Sequence, residues 1–444
     1  MYQVDRSRKV RRTTRRRLVS ASGVVVGATL AAACGGQGQT TQTSSTSQQP
    51  VKLQLWTFPV MHYNYFKELA PAWQEKSRIE VEPSHITSTP GGQSWADKYQ
   101  VAITGGTAPD LLDIEQGAFG RFLRGDVPLV EIGEMLKKEG FWDKLIATRQ
   151  ALYTWKGKNY GVEHALTPVV LYYRKDLFDR AGVKAEVLKT WDDYVEAGKK
   201  MVGDELQYHM YGFATALRQR GSDYFNDKGE VVADAPLGLE TLDFLVQMTR
   251  RHQVTGRPLP DGMNFWTAVQ ANRYATYVNA DWGAGFLKQN APQTQGLWAA
   301  VPLPVWAKDA KPRRTSCVGG TGNCILKSSQ HQKEAWETLK FYMLNPDSAA
   351  KRYEMINLFP PVKDAFKDPR LHVKEEFFGG QDLGQLFQNL APDVPPQYQH
   401  PIRPEVNGII GRAVTAAMRG EQAPRDALMS ASEEAPNRIK QEGF

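Results

Sequence analysis

From Val51 onward, short apolar runs with a period of two alternate with longer stretches in which apolar residues recur every three or four positions. Val51, Leu53 and Leu55 alternate with Lys52 and Gln54, the pattern of a half-buried strand, and run into Trp56-Thr57-Phe58. A helix is expected from about His62 to Lys76, then a strand at Ile79-Glu80-Val81, a helix ending before Gly105-Gly106, and a strand at Leu111-Leu112-Asp113-Ile114. Strands alternating with helices predict an α/β chain built on a parallel sheet covered on both faces. In such sheets ligands sit at the carboxyl ends of the strands.

Further along, Tyr153 to Gly161 reads as a hairpin and Val169 to Tyr173 as a buried strand. Thr190 is placed to cap a helix whose Trp191, Tyr194, Val195, Gly198 and Met201 share one face, with Asp192 and Asp193 favouring its amino-terminal dipole. Helices are also expected at 236–252, 330–344 and 403–419. In the last, Val406, Ile409, Ile410, Ala413, Val414 and Ala417 make a core-facing stripe.

The first fifty residues follow other rules. A basic leader (Arg6, Arg8, Lys9, Arg11, Arg12, Arg15, Arg16, Arg17) precedes sixteen uncharged residues, Leu18 to Ala33, and then Cys34. Basic start, short apolar stretch and small residues before a cleavage point make an export signal over 1–33. Leu30-Ala31-Ala32-Ala33-Cys34 resembles a bacterial lipobox, which would make Cys34 the lipidated first residue of the mature chain; Ala31 stands where a large aliphatic residue is usual. An ordinary cleavage nearby and an uncleaved anchor are the other readings. A spanning helix needs about 20 apolar residues, and this stretch is shorter and interrupted by Ser20, Ser22, Gly23, Gly27 and Thr29. Thr14-Arg15-Arg16-Arg17-Leu18-Val19 resembles a twin-arginine signal, so both that export route and the general one stay open. Gly35 to Pro50 holds only Gly, Gln, Thr, Ser and Pro, a composition too poor in apolar groups to fold, and 34–50 reads as a lipidated cysteine with a flexible tether.

A net charge of +7 suggests a nucleic-acid partner until the leader is set aside. Residues 1–33 hold eight of the 55 basic residues and one of the 48 acidic ones, which leaves 47 of each in the mature chain, and the argument for nucleic acid fails. The remaining 411 residues exceed the roughly 250 to 300 at which a single core stops growing, so two lobes are expected. With Cys34 assigned to lipid, Cys317 and Cys324 are left for a disulfide, which persists outside the cell, or for two buried free thiols. No histidine stands at metal-ligand spacing from another or beside this pair, and no metal site is expected.

The catalytic motifs of hydrolases, metalloproteases, phosphate loops and dinucleotide folds are missing, and no cofactor is expected. Gly319-Gly320-Thr321-Gly322 lacks the lysine and spacing of a phosphate loop; it reads as a turn or a close approach of main chain to ligand.

The order of several segments resembles family 1 extracellular solute-binding proteins, which deliver sugars to ABC importers. Gly105-Gly106-Thr107-Ala108-Pro109-Asp110-Leu111 is similar to that family's Gly-x-Ala-Pro-Asp element. Tyr160-Gly161-Val162, Leu171 through Phe178, Ala181-Gly182 and Thr190-Trp191-Asp192-Asp193 are similar to its hinge-and-helix signature. Ala271 through Trp282 resembles an element that ends in tryptophan, with Tyr277 where methionine is common, and Gly319-Gly320, Ala335-Trp336 and 403–428 complete the order. The resemblance implies a two-lobed periplasmic-binding-protein-like fold with a ligand cleft between the lobes. Lobe one would be about 51–165 plus 312–362, and lobe two 166–311 plus 363–444.

A sugar cleft needs flat aromatic surfaces and groups that hydrogen-bond hydroxyls. Trp282 matches the family's stacking tryptophan, with core packing as its other reading. Trp56 and Phe58 end the first strand, at an expected cleft edge. Glu115 follows the third strand and is either a hydroxyl acceptor or a helix amino-terminal acid. His62 and His164 lie near cleft-forming turns, where a structural role competes. Thr167 at the crossover, and the main chain of Gly319 and Gly320, complete the candidates. A faint similarity to arabino-oligosaccharide and lactose-type members rests on Trp56-Thr57-Phe58, His62 and Asp113-Ile114-Glu115.

The expected function is capture of a carbohydrate, an oligosaccharide foremost, by a monomer tethered to the outer face of the cell membrane and feeding ABC permease subunits, with no chemistry of its own. The competing functions are a secreted glycoside hydrolase, which needs two carboxylates about 5 to 9.5 Å apart, and a sugar sensor feeding a receptor.

Overall fold

Residues Val51–Thr57 form the first strand, β1, in which Leu53, Leu55 and Thr57 are buried while their neighbours are less so. The computed structural model describes residues 50–89, 93–203, 205–260 and 262–444. The expected leader, lipidated Cys34 and tether lie outside the described residues. Helix α1 (Val60–Ser77) follows, burying His62, Tyr65, Phe66, Leu69 and Trp73 along one face, and ends at Arg78 in the left-handed conformation. Then come β2 (Ile79–His85), α2 (Trp95–Thr104), β3 (Leu111–Glu115) and the single turn α3 (Gln116–Phe119). In α2, Ser94 and Asp97 form a reciprocal capping box.

The next elements that matter here are β4 (Val162–Glu163), β5 (Val170–Arg174), α4 (Trp191–Met201), α5 (Pro236–Val246), β6 (Thr276–Asn279), α6 (Trp282–Asn290), β7 (Trp298–Pro302) and β8 (Thr321–Ile325). Helices α7 (Pro346–Ile356), α8 (Arg403–Arg419) and α9 (Pro424–Gln441) complete the set. In α4 the expected cap is present: Asp193 N donates to Thr190 Oγ1 at 3.1 Å and Thr190 N to Asp193 Oδ2 at 2.8 Å. The expected face, Trp191, Tyr194, Val195, Gly198 and Met201, is buried.

Two separate sheets organise the molecule into a two-lobed α/β fold. The first has the order β2-β1-β3-β8-β4 and the second β6-β5-β7. Only part of the expected parallel sheet is found. β1 is parallel to β2 and β3, but β8 is antiparallel to β3, with Thr321 opposite Glu115 and Ile325 opposite Leu111, and the second sheet is antiparallel throughout. The reason is direction of entry. β3 ends beside the Gly319-Gly320 crossover, where Gln116 N donates to Gly320 O at 3.0 Å, whereas β8 begins there, because the chain returns from the second sheet at these glycines. The chain crosses from the first sheet to the second between β4 and β5 and returns between β7 and β8. After α7, which packs on α1, it leaves again to form α8 and α9, which pack on each other and on α5.

Cys317 and Cys324 are both buried and free, so the expected bridge is corrected to two thiols. Cys317 packs with Leu166, Val170 and Phe359, and Cys324 with Leu112, Tyr153 and Leu326, in different parts of the core. The extended run of β8 carries Cys324 away from the crossover. A disulfide needs Cα atoms about 4.4 to 6.8 Å apart.

Candidate functional site

The last residue of β1 and the middle residues of β3 and β8 meet on one buried carboxylate. Asp113 Oδ2 accepts from Thr57 Oγ1 at 2.7 Å and from His62 Nδ1 at 3.0 Å; Oδ1 accepts from His164 Nε2 and Asn323 Nδ2, each at 2.9 Å. A carboxylate only accepts, so these contacts put the proton of His62 on Nδ1 and that of His164 on Nε2. Burial pushes the His164 imidazole down to about 3, which keeps it neutral. Burial alone would raise Asp113, but the contacts from His164 and His62 outweigh it and hold the carboxyl below the usual range. His62, Asp113 and His164 offer ligand atoms within 4.8 Å of one another, a set of the kind that holds a metal ion. Asp113 already receives four donors, however, and the histidine atoms nearest it carry protons. The arrangement is a hydrogen-bonded hub that ties these strands together, and this is where the structure places His62 and His164.

A second cluster surrounds the return crossover. Gly319 and Gly320 have φ of 65° and 127°, in the region that favours glycine. A Cβ on Gly320 would stand 2.7 Å from Glu163 Oε2 and 2.8 Å from Arg149 Nη2, so the turn lies directly on that buried pair. Glu163 Oε1 accepts from Thr321 N at 2.8 Å, and burial pushes its carboxyl up to about 7 although Arg149 opposes the shift. Asp281 Oδ2 accepts from Phe359 N at 2.7 Å, and burial pushes this carboxyl up to about 7 as well. Arg149 Nε and Nη1, Asp281 Oδ1 and Thr167 Oγ1 are buried without a hydrogen-bond partner among the described residues. Thr167 has φ of 54°, a strained conformation for a β-branched residue, at the crossing between the sheets.

Trp282, the first residue of α6, is partly buried and packs against the cores of both lobes. Its indole Nε1 would lie 3.7 Å from a Cβ on Gly319, so the tryptophan and the glycine turn are neighbours. Trp56 and Phe58 have other ring partners. Phe58 stacks on Trp95 with centroids 4.3 Å apart, and Trp56 lies 5.8 Å from Tyr99. Glu115 caps α3, its Oε2 accepting from Gly117 N at 2.7 Å and Ala118 N at 3.2 Å. Burial raises its carboxyl, and these amides work against the shift.

The stretch before α8 is a part of the site that sequence reasoning missed. Gln397, Gln399 and His400 are buried there although no regular element holds them. Gln397 Nε2 donates to Gln116 Oε1, and the His400 ring meets Trp155 edge-on at 5.5 Å. Arg403 and Arg218 both reach Asp223, and Arg124 donates to Pro401 O at 3.2 Å and pairs with Glu405. Pro395-Pro396-Gln397-Tyr398-Gln399-His400-Pro401 has no periodicity; its only sequence cue is a run of hydrogen-bonding side chains set between prolines.

The profile of the family described as "Bacterial extracellular solute-binding protein" matches residues 62–349. Among curated proteins, an arabinooligosaccharide-binding protein of Bacillus subtilis (strain 168) is 26% identical over 415 residues, covering 89% of this chain and 94% of its own. A protein of the same name from Halalkalibacterium halodurans is 27% identical over 356 residues, covering 77% and 79%. Among solved structures, the galacto-N-biose-/lacto-N-biose I-binding protein of the ABC transporter from Bifidobacterium longum, in complex with lacto-N-biose, aligns with a TM-score of 0.73 at 19% identity. That alignment covers 89% of this chain and 98% of that one.

Proposed function

Because this chain belongs to the bacterial extracellular solute-binding proteins, we propose that it is the capture subunit of an ABC importer and that its ligand is a neutral oligosaccharide, with arabinose oligomers first among the choices. The observation that carries this reading is the place of Trp282, whose indole lies between the cores of the two lobes beside the Gly319-Gly320 turn. An aromatic face next to the main-chain groups of a half-buried turn suits a sugar ring, which is apolar on its faces and polar at its edge. The curated relatives named for arabinooligosaccharides support the ligand class.

In this reading lobe one is 51–165 with 312–362, and lobe two is 166–311 with 363–444. Trp282, Glu115, Thr167, Gly319 and Gly320 line the seam between them. Trp56 and Phe58 extend the aromatic surface through Trp95 and Tyr99, while His62 and His164 hold the strands from behind. The protein works as a monomer, held by lipid on Cys34 to the outer face of the membrane.

Thermal melting of the mature protein with arabinose, arabinotriose, lactose and maltose tests the ligand. Ligand at 100 times its dissociation constant adds about 2.7 kcal/mol of stability, so arabinotriose is expected to raise the melting temperature by several degrees. No shift with any sugar would overturn the reading. For the anchor, Cys34→Ser is expected to abolish lipid labelling, and unchanged labelling would refute the assignment.

A further inference from the structure

Gln397 and Gln399 stand two apart in the irregular stretch before α8. They are 1% and 5% exposed. Gln397 Oε1 and both amide atoms of Gln399 have no hydrogen-bond partner among the described residues. Native proteins rarely leave buried amides unsatisfied, since the lost hydrogen bonds to water are not replaced. Two such amides so close together in the chain are an arrangement that a bound molecule would complete.

The surroundings place this stretch at the seam between the lobes. Gln397 reaches Gln116 at the end of β3, and Gln116 N donates to Gly320 O at 3.0 Å, one residue from the glycine that neighbours Trp282. Of the charges nearby, Arg403 and Arg218 pair with Asp223, Glu115 caps α3, and Arg149 is set against Glu163. The unpartnered atoms of the two glutamines themselves are neutral amide groups. An amide carries a donor and an acceptor side by side, which matches two adjacent hydroxyls, one accepting and one donating. A carboxylate ligand only accepts, and would leave the amide oxygens without a partner.

We propose that Gln116, Gln397 and Gln399 form the face that reads adjacent hydroxyls of a neutral sugar, with a sugar edge replacing the direct contact between Gln116 and Gln397. This inference rests on the capture function above and adds to it the residues that set specificity and the exclusion of uronates.

Calorimetric titration of the mature protein with arabinotriose, lactose and digalacturonate tests it, alongside Gln397→Ala, Gln399→Ala and the size-conserving Gln397→Glu. The parent is expected to bind a neutral sugar and not digalacturonate. The two alanine variants are each expected to lose about tenfold or more in affinity while their melting temperature without ligand stays close to the parent's, whereas Gln397→Glu, which buries a carboxylate, is expected to lose affinity and to melt lower. A merely structural role predicts the reverse, lower melting with affinity within twofold of the parent, and that result overturns the inference while leaving the capture function standing. A preference of the parent for digalacturonate also overturns it. If the parent binds none of the three and its melting is unchanged by these and by arabinose and maltose, the inference and the function it rests on fall together.

Discussion

Arg403 donates through Nη2 to both carboxylate oxygens of Asp223, each at 2.8 Å, and neither side chain is open to solvent. Burial would raise the Asp223 carboxyl, but Arg403 and Arg218 outweigh it and hold it below its ordinary range. The pair anchors the first turn of α8 to the segment after Gln219, and with it the stretch that carries Gln397 and Gln399. Removing one partner of a buried pair strands the other, at a cost of about 3 to 5 kcal/mol. Arg403→Ala is expected to lower the melting temperature markedly, and Asp223→Leu to lower it further, because it strands both Arg403 and Arg218. Melting curves of the two variants check both statements.

Gly320 is the least replaceable residue of the crossover. Its φ of 127° is strained for any other residue, and a Cβ would press on Glu163 and Arg149. Gly320→Ala is expected to cost about 1 to 3 kcal/mol or more. Gly319→Ala, with φ of 65° and only an ordinary contact to Trp282, should cost less. Comparative thermal melting decides the order.

Asp281 gives a pH dependence with a definite sign. Burial lifts its carboxyl from 3.8 to about 7. Between about pH 4 and about pH 7 the unfolded chain has released a proton that the folded chain still holds, so folding loses stability as pH rises and the loss levels off above about 7. Asn in its place cannot ionise yet can still accept from Phe359 N. The melting temperature of Asp281→Asn minus that of the parent should therefore climb from about pH 4 to about pH 7 and then stay level. A flat difference would mean that Asp281 is ionised in the folded protein at low pH.

Trp282→Ala separates ligand contact from packing. If the indole stacks on the ligand, affinity should fall by about 2 kcal/mol, roughly thirtyfold, with little change in the melting temperature of the ligand-free protein. Lower melting at unchanged affinity would assign Trp282 to the core alone. Calorimetry and melting of variant and parent give both numbers.

Much of the local structure was legible because it is written in periods and caps. The stripe on α8 and the capping box at Thr190 need only neighbouring residues, and both are found. The Asp113 hub was not legible. His62 and His164 lie 51 residues to either side of Asp113, and no pattern in the chain announces a polar meeting across that distance. Two histidines that looked like separate candidates turn out to share one carboxylate. The cysteine pair failed for a related reason: an even count in an oxidising location suggested a bridge, whereas the fold buries the two thiols in different parts of the core. Gln397 and Gln399 sit in an aperiodic stretch whose burial arises only when the lobes assemble around it.

The position of β8 also dictates how the molecule must come into being. That strand sits between β3 and β4 in the middle of the first sheet, yet it is synthesised more than 150 residues after either. Until it arrives, β3 and β4 present unpaired edges, and closing so long a loop is slow because the entropy is lost before the contacts form. A nascent chain cut short before Thr321 therefore lacks the strand that joins β3 to β4. Through that interval the edges of β3 and β4 are open to pairing with other chains, and they close only when Ile325 has been made.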